Sequence, residues 1–358
     1  MRRPCQVNAG HPSGHEGLCP CTAGARPPIS APDVPDTQIV FLLSMPRAGS
    51  TLLQRLLMGS GVCKTVGEPS FLLRFLGING DPILRAATYS EALVETAIDD
   101  MRKAWGGFDA CYKKGVHDLA VSIYDGLAGE FPFFIDKTPR YSLIAEELVE
   151  LFPEAKFIVL WRHPIAVMNS MSTTFREGRW EPHSFDLDLY HGMDQLRAIC
   201  EKHPSRVHQV KYEDLAADPE KELASLGAYL GIPTLGDVAN RELTKGNDGK
   251  LGDPTGVKKY SKVSPDSISE WERGIRNWYR EAWVKKYFTG KRAEFFQSMG
   301  YDLPKNMKEG KVPFGLIDGI KDWLYSSRVI NRRVLRPLGS KRRMKKAAEK
   351  RGYFVVYR

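Results

Sequence analysis

No stretch of this sequence approaches the roughly 18–20 consecutive apolar residues that a membrane-spanning helix needs. The start, Met1-Arg2-Arg3-Pro4, is basic, but no apolar core follows it, so these residues do not read as a secretory signal. Cysteine is scarce. Six Cys in 358 residues cannot form the disulfide framework of a small secreted domain, and a reducing cytosol fits best. Cys5, His11, His15, Cys19 and Cys21 fall in one Gly-, Pro- and Ser-rich segment without periodicity, and their spacings match no standard zinc pattern. That segment, residues 1–36, reads as a disordered leader with incidental Cys and His. No internal repeat is visible.

What is present is enough for a sizeable core: 42% hydrophobic and 27% charged residues. Length alone suggests about two domains. The net charge of +9 is unevenly placed. Residues 305–358 hold 16 Lys/Arg against 4 Asp/Glu, a net +12, which leaves −3 for the rest. The chain is therefore a near-neutral globule with a basic tail, and its charge is no signal for specific nucleic-acid binding.

The organising stretch is IVFLLSMPRAGSTLLQRLL, Ile39 to Leu57. Ile39 to Leu43 reads as a fully buried strand. A polar turn with Pro46 and Gly49 follows. Leu52, Leu53, Leu56 and Leu57 then recur at helical spacing, with Ser50 or Thr51 as the expected cap. Strand, tight turn and helix start together form an anion site, because unpaired N–H groups and the positive dipole end converge there. Set beside the nucleotide-hydrolase loop G-x-x-x-x-G-K-[ST], the register runs from Ser44 to Gly49, Ser50 and Thr51. Ser50 stands where the phosphate-reaching lysine belongs, and the positive charge sits inside the loop at Arg47.

Further along, strand and helix patterns alternate. Cys63 to Val66 is a short strand, and Gly67-Glu68-Pro69 turns out of it. Helical stretches are expected near Asp81–Trp105 and Gly115–Glu130. Phe131 to Ile135 reads as a strand, followed by Asp136-Lys137-Thr138-Pro139 with Thr138 as cap and Pro139 at the first helical position. Lys156 to Trp161 is a third long strand, and a helix begins at His163-Pro164. A helix near Leu187–His203, a strand at Val207–Val210 and one more helix complete the alternation. The pattern predicts a mainly parallel sheet covered by helices on both faces. Arg47, Lys137 and Arg162 each follow a strand, so a parallel sheet would gather three cations and three helix starts at one edge. Such an edge suits a partner with several negative charges. Leu251 to Gly274 is Gly-, Pro- and Lys-rich and reads as a functional loop over a ligand site.

MPRAGSTLLQRLL closely resembles the 5′-phosphosulfate loop of sulfotransferases that use 3′-phosphoadenosine-5′-phosphosulfate, and the resemblance extends in order over most of Ile39 to Tyr301. It implies an α/β, P-loop-like three-layer fold with a central, mainly parallel sheet flanked by helices. It also implies that Arg47, Ala48, Gly49, Ser50 and Thr51 hold the 5′ end of the donor. Arg162 and Ser170 look like the family's 3′-phosphate pair, Tyr212 its Tyr near the nucleotide, and Thr255 to Ser264 its closing loop, with Lys258, Lys259 and Lys262 as phosphate contacts. Glu68 stands 21 residues after Arg47, the offset of the general base in tyrosylprotein sulfotransferases. His117 is the rival base, by similarity to cytosolic sulfotransferases. Lys137 resembles the lysine that offsets charge on the leaving phosphate oxygen, which makes Arg47, Glu68 and Lys137 the catalytic candidates. His163 reads as structural. The scheme requires no metal.

Three positions depart from the protein-tyrosine pattern. Ser70, Glu270 and Thr174 stand where that branch carries cations, which argues against tyrosine peptides as acceptors. The chain looks more like the bacterial branch, whose acceptors include small molecules, lipids and carbohydrates. The expected division is a leader at 1–36, a sulfotransferase domain at 37–304 and a basic extension at 305–358. Within the extension, Pro313 to Leu338 has apolar residues at helical spacing with Arg328, Arg332, Arg333 and Arg336 interleaved. That helix either lies on an anionic membrane surface or docks on the domain. The competing functional readings are a P-loop kinase and a non-catalytic nucleotide-binding scaffold.

Overall fold

The computed structural model describes residues 37–76, 98–240, 270–310 and 312–327. Strand β1 (Gln38–Ser44) lies at the centre of a five-stranded sheet with β2 (Cys63–Thr65), β3 (Phe133–Asp136), β4 (Lys156–Trp161) and β5 (Val207–Lys211). The order is β2-β3-β1-β4-β5, and every pairing is parallel. Alternation along β1 explains the layering. Ile39, Phe41 and Leu43 belong to one buried cluster, and Val40 and Leu42 to another. A strand with both faces buried needs cover on both sides, which is why its sequence is apolar without interruption.

The second cluster is closed by α1 (Ser50–Gly59) through Leu53, Leu56 and Leu57, by α7 (Tyr212–Ala217) through Leu215, and by α8 (Pro219–Leu230) through Leu223, Leu226 and Leu230. The first is larger. It takes in α2 (Leu72–Leu76), α3 (Phe108–Ala128), α4 (Ala145–Leu151), α5 (Pro164–Arg176) and α6 (Met193–Lys202), together with α9 (Trp278–Tyr287) and α10 (Gly290–Ser298). Phe41 is its hub, with its ring 5.0 Å from Phe152 and 5.4 Å from Phe157. The result is the α/β, P-loop-like three-layer fold expected from the sequence, with a parallel sheet between helices.

The local expectations fail at identifiable places. Helix α3 starts at Phe108, seven residues before the expected Gly115, so Gly115 sits inside a helix. Strand β3 is shifted to Phe133–Asp136. Thr138 occupies the cap position of the 3-10 turn Pro139–Ile144 but makes no side-chain cap. Its hydroxyl donates instead to Asp136 Oδ1 at 2.9 Å. The expected helix at Leu187–His203 opens with a π-helical turn, Leu187–Gly192, before α6 begins. Of the stretch Asp81–Trp105, only the part from residue 98 on is described, and 98–104 is helical.

After α11 (Lys305–Lys308) comes a last described helix, α12, at 316–327. The leader, residues 241–269 and the tail beyond Ser327 lie outside the described residues. No helix among the described residues is long and apolar enough to cross a membrane.

Candidate active site at the C-terminal edge of the sheet

All five strands point their C-terminal ends the same way, and after each of them comes one of the expected site residues. Across the edge the order is Glu68 after β2, Lys137 after β3, Arg47 after β1, Arg162 after β4 and Tyr212 after β5. With strands about 4.8 Å apart, the row spans roughly 19 Å. Open parallel sheets bind ligands at this edge, where the chain switches from one side of the central strand to the other.

The middle of the row is the loop Met45 to Gly49. Gly49 is the N-cap of α1 at φ 101°, and no side chain among the described residues caps the helix. This corrects the expectation that Ser50 or Thr51 does so: Ser50 is already the first helical residue. Glycine is required here twice over. The left-handed conformation disfavours a Cβ, and a Cβ would also run into the ring of Tyr212. Arg47 adopts φ 69°, also left-handed. Such strain in a non-glycine residue persists only where the surroundings enforce it, and it concentrates at functional sites. Ser44, at the end of β1, is buried, and its Oγ has no hydrogen-bond partner among the described residues.

On one side of the loop, Arg47 Nε donates to Ser170 Oγ at 3.2 Å. Arg162 Nη1 donates to the Arg47 carbonyl at 3.1 Å, and its guanidinium lies 4.3 Å from the centre of the Tyr212 ring. Four residues, from the turns after β1 and β4 and from α5 and α7, thus form one cluster around the loop. Arg47 reaches this cluster through its bond to Ser170.

On the other side, Lys137 is almost wholly buried, and its Nζ donates to Glu68 Oε1 at 2.8 Å. Buried lysines demand a partner, and Glu68, itself partly exposed, supplies one while leaving a path to solvent. Beneath them Asp136 accepts from Tyr124 at 2.6 Å and from Thr138 at 2.9 Å. Burial pushes the Asp136 carboxyl up to about 6, against the hydrogen bonds from Tyr124 and Thr138 that hold it down. Thr138 Oγ1 also accepts from the Ser70 N–H at 3.3 Å, and Tyr141 accepts from the Leu72 N–H at 3.2 Å. These bonds tie the turn carrying Glu68 to the turn carrying Lys137. Ser70, at φ 56°, is strained at that tie.

His163 lies next to Arg162 but faces inward. Its Nδ1 accepts from the Ile165 N–H at 3.3 Å, so its Nε2 donates to the Asp302 carbonyl at 2.8 Å, and its ring stacks 4.0 Å from Trp271. Burial, with the neighbouring Arg162 charge adding to it, pulls its pKa down to about 4. The His163 N–H donates to Glu213 Oε1 at 2.9 Å, and Tyr301 donates to the other oxygen at 2.9 Å. Sequence reading missed this brace, as it missed Asp136, because a lone acid next to a strand end carries no spacing signature.

His117 is not at this edge. It sits on α3, and its Nε2 lies 2.9 Å from Glu154, two residues before β4 begins. The length of β4, about 20 Å, separates it from the row of site residues. The rival base of the sequence reading thus lies at the opposite end of the sheet from Glu68 and Lys137. Lys262, with Lys258 and Lys259, lies outside the described residues. Among the described residues no group of three or more His, Cys, Asp or Glu side chains is placed to hold a metal ion.

Comparison with known proteins agrees with this geometry. The chain is 30% identical over 223 residues to nodulation protein NoeE of Sinorhizobium fredii (strain NBRC 101917 / NGR234), covering 56% of this chain and 51% of NoeE. It is 33% identical over 110 residues to the omega-hydroxy-beta-dihydromenaquinone-9 sulfotransferase Stf3 of Mycobacterium tuberculosis (strain CDC 1551 / Oshkosh), covering 27% of this chain and 28% of that protein. The matches thus span about half of NoeE and less of Stf3. Among solved structures, the sulfotransferase domain from the curacin biosynthetic pathway shares the fold, with a TM-score of 0.51 and 22% identity over 75% of this chain and 99% of that domain. The model described as "Sulfotransferase family" matches residues 39–236, more than half of the sequence and every strand but the first residue of β1, and the chain belongs to that family.

Proposed function

We propose that the protein transfers a sulfuryl group from 3′-phosphoadenosine-5′-phosphosulfate to a hydroxyl or amine of a small-molecule, lipid or carbohydrate acceptor. The observation that carries this reading is the layout of the edge. A buried Lys137–Glu68 pair stands at one end, an Arg162–Ser170–Arg47 cluster at the other, and a strained loop opening onto a helix N-terminus lies between them. A nucleotide with phosphates on both its 5′ and 3′ sides fits that division of charge. The N–H groups of the loop and of α1 face the 5′ side, with the positive end of the helix dipole behind them. Arg162 and Ser170 serve the 3′ side, where a planar guanidinium holds a phosphate through two parallel bonds. Tyr212 packs against both Arg162 and Gly49 and keeps the two halves in register.

Bound at this edge, the donor supplies an activated sulfuryl group on a phosphate leaving group. The rest of the chemistry falls to the chain. Glu68 takes the proton of the attacking hydroxyl, which must leave as the new bond to sulfur forms. Lys137 places a fixed positive charge where the leaving oxygen becomes negative. Because it is buried and held in place before reaction, its charge acts in a low-dielectric setting and needs no reorganisation. Ser50 at the position of the nucleotide-hydrolase lysine separates this loop from an ATP-using one.

Titration calorimetry tests the donor. Adenosine 3′,5′-bisphosphate is expected to bind, and ATP with Mg²⁺ is not. Binding of ATP with no response to the bisphosphate would overturn the reading.

A further inference from the structure

Helix α12 is amphipathic, but it is docked the wrong way round for a core helix. Its buried residues are Gly319, Asp322 and Ser326. Its apolar residues, Leu316, Ile317, Ile320, Trp323 and Leu324, are exposed, and Phe314 just before them is too. At about 100° per residue, these five share an arc of about 120° that is turned away from the buried side. Ile317 is 69% exposed, Phe314 67% and Trp323 49%. Large apolar side chains gathered on one outward face mark an interaction surface, whereas scattered ones do not.

The orientation is enforced by a polar clamp. Asp322 Oδ2 accepts from Arg280 Nε at 2.7 Å and from Asn277 Nδ2 at 2.9 Å, and Asp322 Oδ1 accepts from the Trp180 N–H at 3.2 Å. Ser326 Oγ donates to the Trp180 carbonyl at 3.0 Å. Gly319 lies flat on Trp278, where a Cβ would collide with the indole. Rotating α12 to hide its apolar stripe would carry Asp322 away and strand the buried Arg280 charge, so the face stays outward.

The occupant follows from charge. Residues 328–358, which follow α12 in the sequence, hold twelve Lys/Arg against the single Glu349, a net +11. An apolar stripe bearing Trp and Phe beside a strongly basic stretch is the combination that binds an anionic lipid surface. The aromatic and aliphatic side chains enter the headgroup boundary while the cations meet acidic headgroups. A second copy of this chain fits worse, because like charges of this size would be brought together. We infer that the outward face of α12 docks the protein on an anionic membrane surface.

Cosedimentation of the full chain with phosphatidylcholine vesicles, with and without about a quarter phosphatidylglycerol, tests this at low and high salt. The wild type is expected to pellet with the anionic vesicles at low salt and much less with neutral ones. The double variant Ile317→Asn/Trp323→Gln is expected to bind the anionic vesicles about tenfold more weakly or worse, with an unchanged melting temperature because both side chains are already exposed. A chain cut after Ser327 is expected to lose the preference for phosphatidylglycerol. Wild type that stays in the supernatant overturns the proposal, and so does a double variant that binds as tightly as wild type. Light scattering that shows a dimer dissolved by the double variant assigns the face to a second copy and overturns it as well. None of these outcomes depends on the donor assigned above.

Discussion

The two edges of the sheet treat charge in opposite ways. At the N-terminal edge, charges are paired on the surface. His117 meets Glu154, Lys113 meets Glu150 and Lys114 meets Asp118, all in reach of solvent. Exposed pairs of this kind contribute little to stability and are readily rearranged. At the C-terminal edge, Lys137 is buried, Arg162 is stacked on Tyr212, and Arg47 and Ser70 hold left-handed backbone. Nothing about stability favours such an arrangement, because burying a charge and straining a backbone both cost free energy. The difference marks the edge where the fold accepts buried charge and strained backbone, the edge to which the proposed function assigns the donor.

The sharpest way to break that comparison is at Lys137. Lys137→Met keeps the volume of the buried stem and removes the charge. If the charge meets the leaving oxygen, kcat falls about 10²- to 10³-fold while binding of the bisphosphate product changes far less. Equal losses in both would reduce Lys137 to a binding or folding residue.

A second measurement separates the inner brace from the site. His163 is buried neutral, with its pKa pulled down from 6.5 to about 4. Between these values the unfolded chain binds more protons than the folded one. The stability His163 provides is therefore complete above about 6.5 and is lost as pH falls toward 4. The full effect is roughly 3 kcal/mol. Asp136, raised to about 6, gives the opposite slope between about 4 and 6. The informative quantity is thus the difference in urea midpoint between wild type and His163→Gln at pH 7 and pH 4.5. If the two proteins lose stability in parallel on acidification, His163 is not the source.

The smallest effect belongs to the opposite edge. The bonds to Glu154 and Asp118 raise the His117 pKa despite partial burial that works against them. Titration of this residue should nevertheless leave catalysis untouched. His117→Gln is expected to change kcat by less than about twofold, with at most about 1 kcal/mol of stability lost. A loss of several orders of magnitude would place His117 in the chemistry and undo the contrast between the edges.

Much of the fold was legible in the residues themselves. An uninterrupted apolar run as short as Ile39 to Leu43, closed by a Pro- and Gly-bearing turn, reads as a strand covered on both faces, and the return of such runs between helical patterns points to a parallel layered sheet. A parallel sheet in turn places Arg47, Lys137 and Arg162 on one edge, since every strand ends there. That much is local periodicity plus chain direction. The pairings across the edge were not local. That Arg47 turns toward Ser170, that Glu68 meets Lys137 across 69 residues, and that Asp136 and Glu213 brace the turns depend on strand order and side-chain packing. No spacing in one segment encodes those. The same holds at α12. Its apolar stripe is plain in the sequence, but the sequence alone left open whether the stripe faces the core or the outside. The buried Asp322 and Arg280, distant in the chain and joined only by tertiary packing, turn it outward.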